Sequence, residues 1–246
     1  MKNIRLRDFP SFIRTTDIND FLLNHVMTQS EALPRASAVV LNTFDALEQD
    51  SVNPLTTLNP KIFTVGPLHL MQHVHNERLK HVGSNIWKQD TSCVSWLDTK
   101  DSDSVVFVNF GSITIMTKEQ LIEFGWGLAN SKKDFFVDNQ ARHCRAQRCR
   151  VATGCSGVPV LCWPFFAEQQ TNSRYCCVEW GIGMEIVTDV KREVVAAQVR
   201  EMIDGKHGEV MKKNSIEWKK KAEEAVGVNG SSCLKFDKLV DLLLNK

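Results

Sequence analysis

The chain has 246 residues, 43% of them hydrophobic and 24% charged, a composition that fits a soluble protein of one large or two small domains. Thirty basic against twenty-nine acidic side chains leave a formal charge of +1, so no global field recruits nucleic acid or an anionic membrane, and any partner must be recognised by a local site. Met1 is followed by Lys2, Arg5, Arg7 and Asp8 rather than an apolar run, and no later stretch is apolar enough to span a bilayer, so neither a secretory leader nor membrane insertion is expected and a cytoplasmic location is. Eight cysteines are spread along the chain without the spacing of a disulfide framework, which predicts mostly reduced thiols. The sequon Asn229 to Ser231 would matter only in a secreted protein.

In chain order, Thr16 or Asp17 is placed to cap a helix through Ile18, Phe21, Leu22, His25 and Val26, followed by short apolar runs at Ala38–Leu41 and Ile62–Val65, the second ending at Gly66-Pro67. This order suits the end of an α/β domain, assigned to 1–67. From Leu68 to Gln89 the chain carries four histidines and no sustained periodicity, which predicts an interdomain linker over 68–89. A regular alternation then runs from 90 to 246. A helix is expected near Thr91–Leu97, a strand at Ser104–Asn109, a Gly111-Ser112 turn, a helix over Lys118–Ala129 and a strand at Asp134–Val137. Beyond these come a strand at Val158–Cys162, a helix from about Ala167 to Glu179, a turn at Gly181-Ile182-Gly183 and a strand at Met184–Val187. Three helices follow, Glu193–Ile203, Glu209–Ala225 and Ser231–Leu244. Such alternation predicts a mostly parallel sheet flanked by helices.

Between Asp138 and Cys155 the text changes character. Arg142, Arg145, Arg148 and Arg150 stand beside His143, Cys144 and Cys149, with no acidic residue after Asp138. The His and Cys separations lack the paired short knuckles of structural zinc sites, so no metal is expected. No stacking aromatics are interleaved with the arginines, which argues against nucleic acid and for an irregular solvated loop.

Two places could carry chemistry. The turn Asn109-Phe110-Gly111-Ser112 follows a strand and precedes a helix, where backbone N–H groups and a small hydroxyl can approach a phosphate; the same residues also suit an ordinary tight βα turn. Glu168 and Gln169, with Trp163, Pro164 and Asn172, stand after the second apolar strand, at the edge where open α/β sheets bind ligands. A carboxylate beside an amide offers the acceptors and donors that adjacent sugar hydroxyls need, although Glu and Gln also suit a helix first turn through dipole and propensity.

The run Val158-Pro159-Val160-Leu161-Cys162-Trp163-Pro164-Phe165-Phe166-Ala167-Glu168-Gln169-Gln170-Thr171-Asn172 resembles the end of the signature box of plant secondary-product UDP-glycosyltransferases. Ser95-Trp96-Leu97-Asp98, Val108 to Thr114, Trp180 to Glu185 and Gly230-Ser231-Ser232 carry the same resemblance, nearest to the 7-deoxyloganetin and cyanohydrin glucosyltransferases, and Arg5 to Pro10 and Asn42-Thr43-Phe44 extend it to the latter part of the amino-terminal domain. The resemblance implies a GT-B fold, here one Rossmann-like nucleotide-sugar-binding domain over 90–246 with a remnant of the acceptor-binding domain. It implies no metal and no cofactor other than a UDP-sugar co-substrate, UDP-glucose as donor and a small hydroxylated aglycone as acceptor. Gly111 and Ser112 would lie against the diphosphate, and Glu168 and Gln169 would bind the sugar hydroxyls.

The resemblance also has gaps. The family's histidine base and its aspartate partner find no match in this chain, so no catalytic residue is assigned and the base is expected to lie in an absent amino-terminal region. The segment 138–155 replaces the half of the box that stacks uracil and holds phosphates and ribose, a switch that reads as an internal deletion with a shifted segment. Sugar transfer is therefore expected to be absent in this truncated form. The alternative reading is a noncatalytic module that binds a nucleotide sugar or pairs with a full-length relative.

Overall fold

The computed structural model describes residues 3–75, 92–111, 114–138, 155–186 and 189–244. After two 3₁₀ turns, Leu6–Asp8 and Ser11–Ile13, come helix α1 (Phe21–Ala32), strand β1 (Val39–Leu41), helix α2 (Asp45–Leu58), strand β2 (Ile62–Thr64) and helix α3 (Leu68–His75). Helix α4 (Ser92–Leu97), strand β3 (Val105–Asn109), helix α5 (Lys118–Ser131) and strand β4 (Asp134–Asp138) follow. Strand β5 (Val160–Cys162), helix α6 (Gln169–Arg174) with a π-helical turn at Tyr175–Glu179, and strand β6 (Gly183–Glu185) lead to helices α7 (Arg192–Asp204), α8 (Lys206–Val226) and α9 (Ser231–Leu244).

A strand, a helix and a second strand pair in parallel three times: β1 with β2, Val39 opposite Ile62; β3 with β4, Val105 opposite Asp134; and β5 with β6, Val160 opposite Gly183. Parallel pairing of strands so close in sequence requires a crossover, which α2, α5 and α6 supply. The contacts gather the chain into two units, one holding Met1–Gly83 with Glu217–Lys246 and the other Ser84–Ile216. The sequence pattern assigns 90–246 to one domain; the contacts place 217–246 with the amino-terminal residues.

The first unit shows why. Ser232, fully buried in the first turn of α9, donates its hydroxyl to Gly66 O at 2.6 Å, and Lys235 one turn later donates to Thr64 Oγ1 at 2.8 Å and to Asp45. Gly66 leaves no room for a side chain, because a Cβ there would meet the Asn42 carbonyl carbon and the Thr43 nitrogen at 2.6 Å. Asn59, 3% exposed, donates to Leu33 O and Ala36 O and accepts from Lys61 N, tying the end of α1 to the start of β2. Three local expectations are corrected here. The cap of α1 is Asp20, whose Oδ1 accepts from Leu23 N at 2.8 Å, whereas Asp17 spends its carboxylate on Asn19 N. A helix, α2, fills the interval between the two strands. The start of the expected linker is α3. No residue of α1 is buried, and Phe21 stands 82% exposed.

The core of the second unit is Val106 of β3, Phe124 and Leu128 of α5, Ile186 after β6, Val190, and Val195 and Val199 of α7. Helix α5 begins with a capping box: Thr117 Oγ1 accepts from Gln120 N while Gln120 Oε1 accepts from Thr117 N. It lies against α7 closely enough that a Cβ on Gly127 would stand 2.5 Å from Val195 Cβ. Glu123 of α5 accepts from the Arg192 backbone N–H at 2.7 Å and from its guanidinium, so one carboxylate satisfies an unpaired donor of α7's first turn and the charge beside it. Those Arg192 hydrogen bonds hold the Glu123 carboxyl below its ordinary pKa.

Candidate nucleotide-sugar site

The candidate site residues lie in the second unit, beyond the carboxy ends of β3 and β5, the end at which open parallel α/β sheets bind ligands. The residues directly after the two strands meet. Phe110, following β3, and Trp163, following β5, have ring centroids 6.2 Å apart, and both pack on Phe124 at 4.9 Å. Edge-on aromatic contacts of this kind add to the area they bury. They bring the turn beyond β3 and the segment beyond β5 to one edge of the unit.

Beyond β3, Asn109 Oδ1 accepts the Gly111 amide at 2.6 Å, and Gly111 takes φ +76 with no heavy atom nearer than 4.0 Å to a would-be Cβ. Glycine is used there for its backbone freedom and not for space. Gly111 is exposed; Ser112 lies outside the described residues.

Beyond β5, the chain turns through Pro164, Phe165, Phe166 and Ala167 before α6 opens. Ala167 has φ +54, a left-handed conformation that costs a residue with a Cβ about 1–2 kcal/mol. Gln169 holds this turn: its Oε1 accepts Phe165 N at 2.8 Å and Phe166 N at 3.4 Å, and its own N–H donates to Phe166 O at 3.2 Å. Glu168, the residue before α6, is exposed and its side chain does not cap the helix. Glu168 and Gln169 are thus adjacent at the same edge as Gly111, one presenting a carboxylate and the other an amide.

The helix that carries them is anchored from behind. Ser173, 1% exposed, donates to Glu185 Oε2 at 2.8 Å and lies 3.9 Å from Cys177 Sγ. The thiol of Cys162 is pushed up to about 12 by its contact with Cys176 and by burial, and that of Cys155 to about 11 by burial alone, so both are neutral packing groups. Trp163 Nε1 and Gln170 Oε1 are buried without a hydrogen-bond partner among the described residues.

Among those residues no cluster of three or more His, Cys, Asp or Glu is assembled for a metal ion, and no helix is long and apolar enough to cross a membrane. His143, Cys144, Cys149 and the arginine-rich stretch lie outside them. The described imidazole in this unit, His207 of α8, is 82% exposed and 3.9 Å from Glu201. Glu168 and Gln169 thus set a carboxylate beside an amide at this edge, a pairing whose acceptors and donors suit a polyhydroxylated ligand.

The sequence model described as UDP-glucoronosyl and UDP-glucosyl transferase matches residues 151–223. The chain is 57% identical over 291 residues to UDP-glycosyltransferase 85A8 of Stevia rebaudiana, covering 100% of this chain and 61% of that protein. It is 44% identical to both the (R)-mandelonitrile beta-glucosyltransferase of Prunus dulcis and the 7-deoxyloganetin glucosyltransferase of Gardenia jasminoides, spanning 60% of each. The first match extends over 291 residues against 246 in this chain, so about 45 residues of the relative fall in gaps here.

Among solved structures, Os79 of O. sativa in complex with UDP superimposes with a TM-score of 0.83 at 24% identity, covering 96% of this chain and 62% of that one. Phytolacca americana UGT2, complexed with UDP-2fluoro-glucose and pterostilbene, superimposes with a TM-score of 0.77 at 20% identity, covering 96% and 60%. These likenesses carry the GT-B fold. By sequence and by fold the chain is a relative of the plant UDP-glycosyltransferases, spanning about 60% of their length.

Proposed function

We propose that the chain is the donor-binding part of a plant UDP-dependent glucosyltransferase, with UDP-glucose as co-substrate, the hydroxyl of a small metabolite as acceptor, and no metal or further cofactor. The observation that carries this is the pairing of the exposed Glu168 carboxylate with the Gln169 amide at the carboxy edge of β5, on the same edge as the Gly111 turn. Vicinal sugar hydroxyls each donate and accept, and a carboxylate beside an amide NH₂ answers both. Gly111 and Ser112 would face the diphosphate. A cytoplasmic location belongs to the same reading.

Within this chain the reading is donor binding without efficient transfer. An acceptor oxygen must lose its proton as it attacks, and a positioned base contributes about 10²- to 10⁴-fold. The described residues place no such base beside Glu168. The sequence, in which the family's histidine base finds no match, also supports a second reading, a noncatalytic module that binds a nucleotide sugar or pairs with a full-length relative.

The test is to titrate the purified chain with UDP-glucose and UDP by ligand-observed NMR, and to incubate it with UDP-glucose and a panel of small alcohols while following glucoside by mass spectrometry. Binding that favours UDP-glucose over UDP and loses that preference in Glu168→Ala, without glucoside, is the expected result. Absence of any preference refutes the donor site, and glucoside formation that vanishes in Glu168→Ala refutes the assignment as noncatalytic.

A further inference from the structure

Gln169 is bound to its surroundings through one end only. Its Oε1 accepts two backbone N–H groups, Phe165 at 2.8 Å and Phe166 at 3.4 Å, while its Nε2 has no partner among the described residues. The turn it grips contains Ala167 at φ +54, a conformation an alanine does not hold by itself, and the next residue is Glu168. The backbone reinforces the grip, because Gln169 N donates back to Phe166 O at 3.2 Å.

We propose that Gln169 is a positioning residue for Glu168 as well as a ligand group: its carbonyl oxygen holds the 165–168 turn in its left-handed conformation, and only its NH₂ faces the donor sugar. This rests on the donor-site reading above. It fixes the polarity of recognition: Glu168 accepts, Gln169 donates, and a sugar hydroxyl held by both does the opposite to each. A deoxy sugar lacking that hydroxyl leaves a carboxylate and an amide unanswered together.

Two substitutions separate the roles. Gln169→Glu keeps an oxygen for the Phe165 and Phe166 amides but loses the NH₂, whereas Gln169→Met keeps the length and loses both. Hydrogen exchange of those two amides, followed by NMR on the full chain, reads the turn; the ratio of UDP to UDP-glucose dissociation constants reads the sugar contact. We expect exchange in Gln169→Glu to stay within about twofold of the parent and in Gln169→Met to accelerate roughly three- to tenfold, the ratio expected for one lost hydrogen bond. Preference for UDP-glucose should fall in both. Adding Ala167→Gly to Gln169→Met removes the steric cost of the left-handed turn, and part of the preference should return because Glu168 regains its place.

Equal exchange rates in all three proteins, with preference intact in the parent, would overturn the positioning role alone. Undiminished preference in Gln169→Glu would overturn the assignment of the NH₂. A parent with protected amides and no preference for UDP-glucose would sink the donor reading, and the proposal with it.

Discussion

Two glycines of α5, Gly125 and Gly127, stand two residues apart on the same helix, and the structure assigns their replacement by alanine opposite signs. In an exposed helix interior, glycine to alanine stabilises by about 0.8–1 kcal/mol, because glycine surrenders more backbone entropy on folding. At Gly125 nothing lies within 4 Å of the added Cβ, so that gain is realised in full. At Gly127 the Cβ would meet Val195 Cβ at 2.5 Å, Val195 Cγ1 at 2.7 Å and Arg192 O at 3.1 Å. Neither Val195 Cβ nor a backbone carbonyl can rotate away, and Val195 is 1% exposed in the core, so relief requires α5 and α7 to move apart. Overpacking of this kind costs about 1–3 kcal/mol. Set against the propensity gain, Gly127→Ala should destabilise by about 0–2 kcal/mol net, and by more if the helices part far enough to weaken the Glu123–Arg192 contact. With roughly 2–4 °C per kcal/mol for a chain of this size, Gly125→Ala should melt about 2–4 °C higher and Gly127→Ala about 0–8 °C lower than the parent. Differential scanning calorimetry of the three proteins side by side measures this. If Gly127→Ala melted as high as Gly125→Ala, the close approach of α5 to α7 would be wrong.

The Glu123–Arg192 contact makes stability depend on pH with a defined sign. Because the folded carboxyl titrates below its ordinary value, its contribution is fully present above about pH 4.5 and is lost as pH falls through the folded pKa; Glu123→Gln should lower the denaturation midpoint at pH 7 and narrow its gap from the parent as pH drops toward 3. The thiols give a third check. With Cys155 raised to about 11 and Cys162 to about 12, neither should be alkylated by iodoacetamide at pH 8 in the folded chain, and both should react within minutes in denaturant, as read by peptide mass spectrometry.

Much of the strand–helix alternation is legible as text. Helix α9 runs from Ser231 to Leu244 as its pattern indicates, and α5 starts at Lys118 because Thr117 and Gln120 form a capping box three residues apart. Helix α2 is hard to read from the sequence because Pro54 and a non-helical Glu48 interrupt its periodicity; the acidic first turn at Asp45 and Glu48 is the available signal. The helix expected over Ala167–Glu179 is two pieces, α6 and a π-helical turn, preceded by the left-handed Ala167. At the site, the positions of Gly111, Glu168 and Gln169 after their strands follow from the strand–turn–helix order alone. What Gln169 does with its carbonyl oxygen does not, because either end of an amide can serve a turn or a ligand.

The sequence by itself determined the strand–helix alternation, the place of the candidate residues just after β3 and β5, and the kinship carried by the run from Val158 to Asn172, since each depends on residues within a few positions of one another. The tertiary structure alone decided which distant segments meet. Ser232 reaches Gly66 across 166 positions and moves the last helix to the amino-terminal unit, Gly127 is required by Val195 on another helix, and Phe110 finds Trp163 to join the segments beyond β3 and β5. Local pattern encodes which face of an element is apolar; which other face covers it is settled only when the folded chain satisfies every buried donor and fills every gap at once.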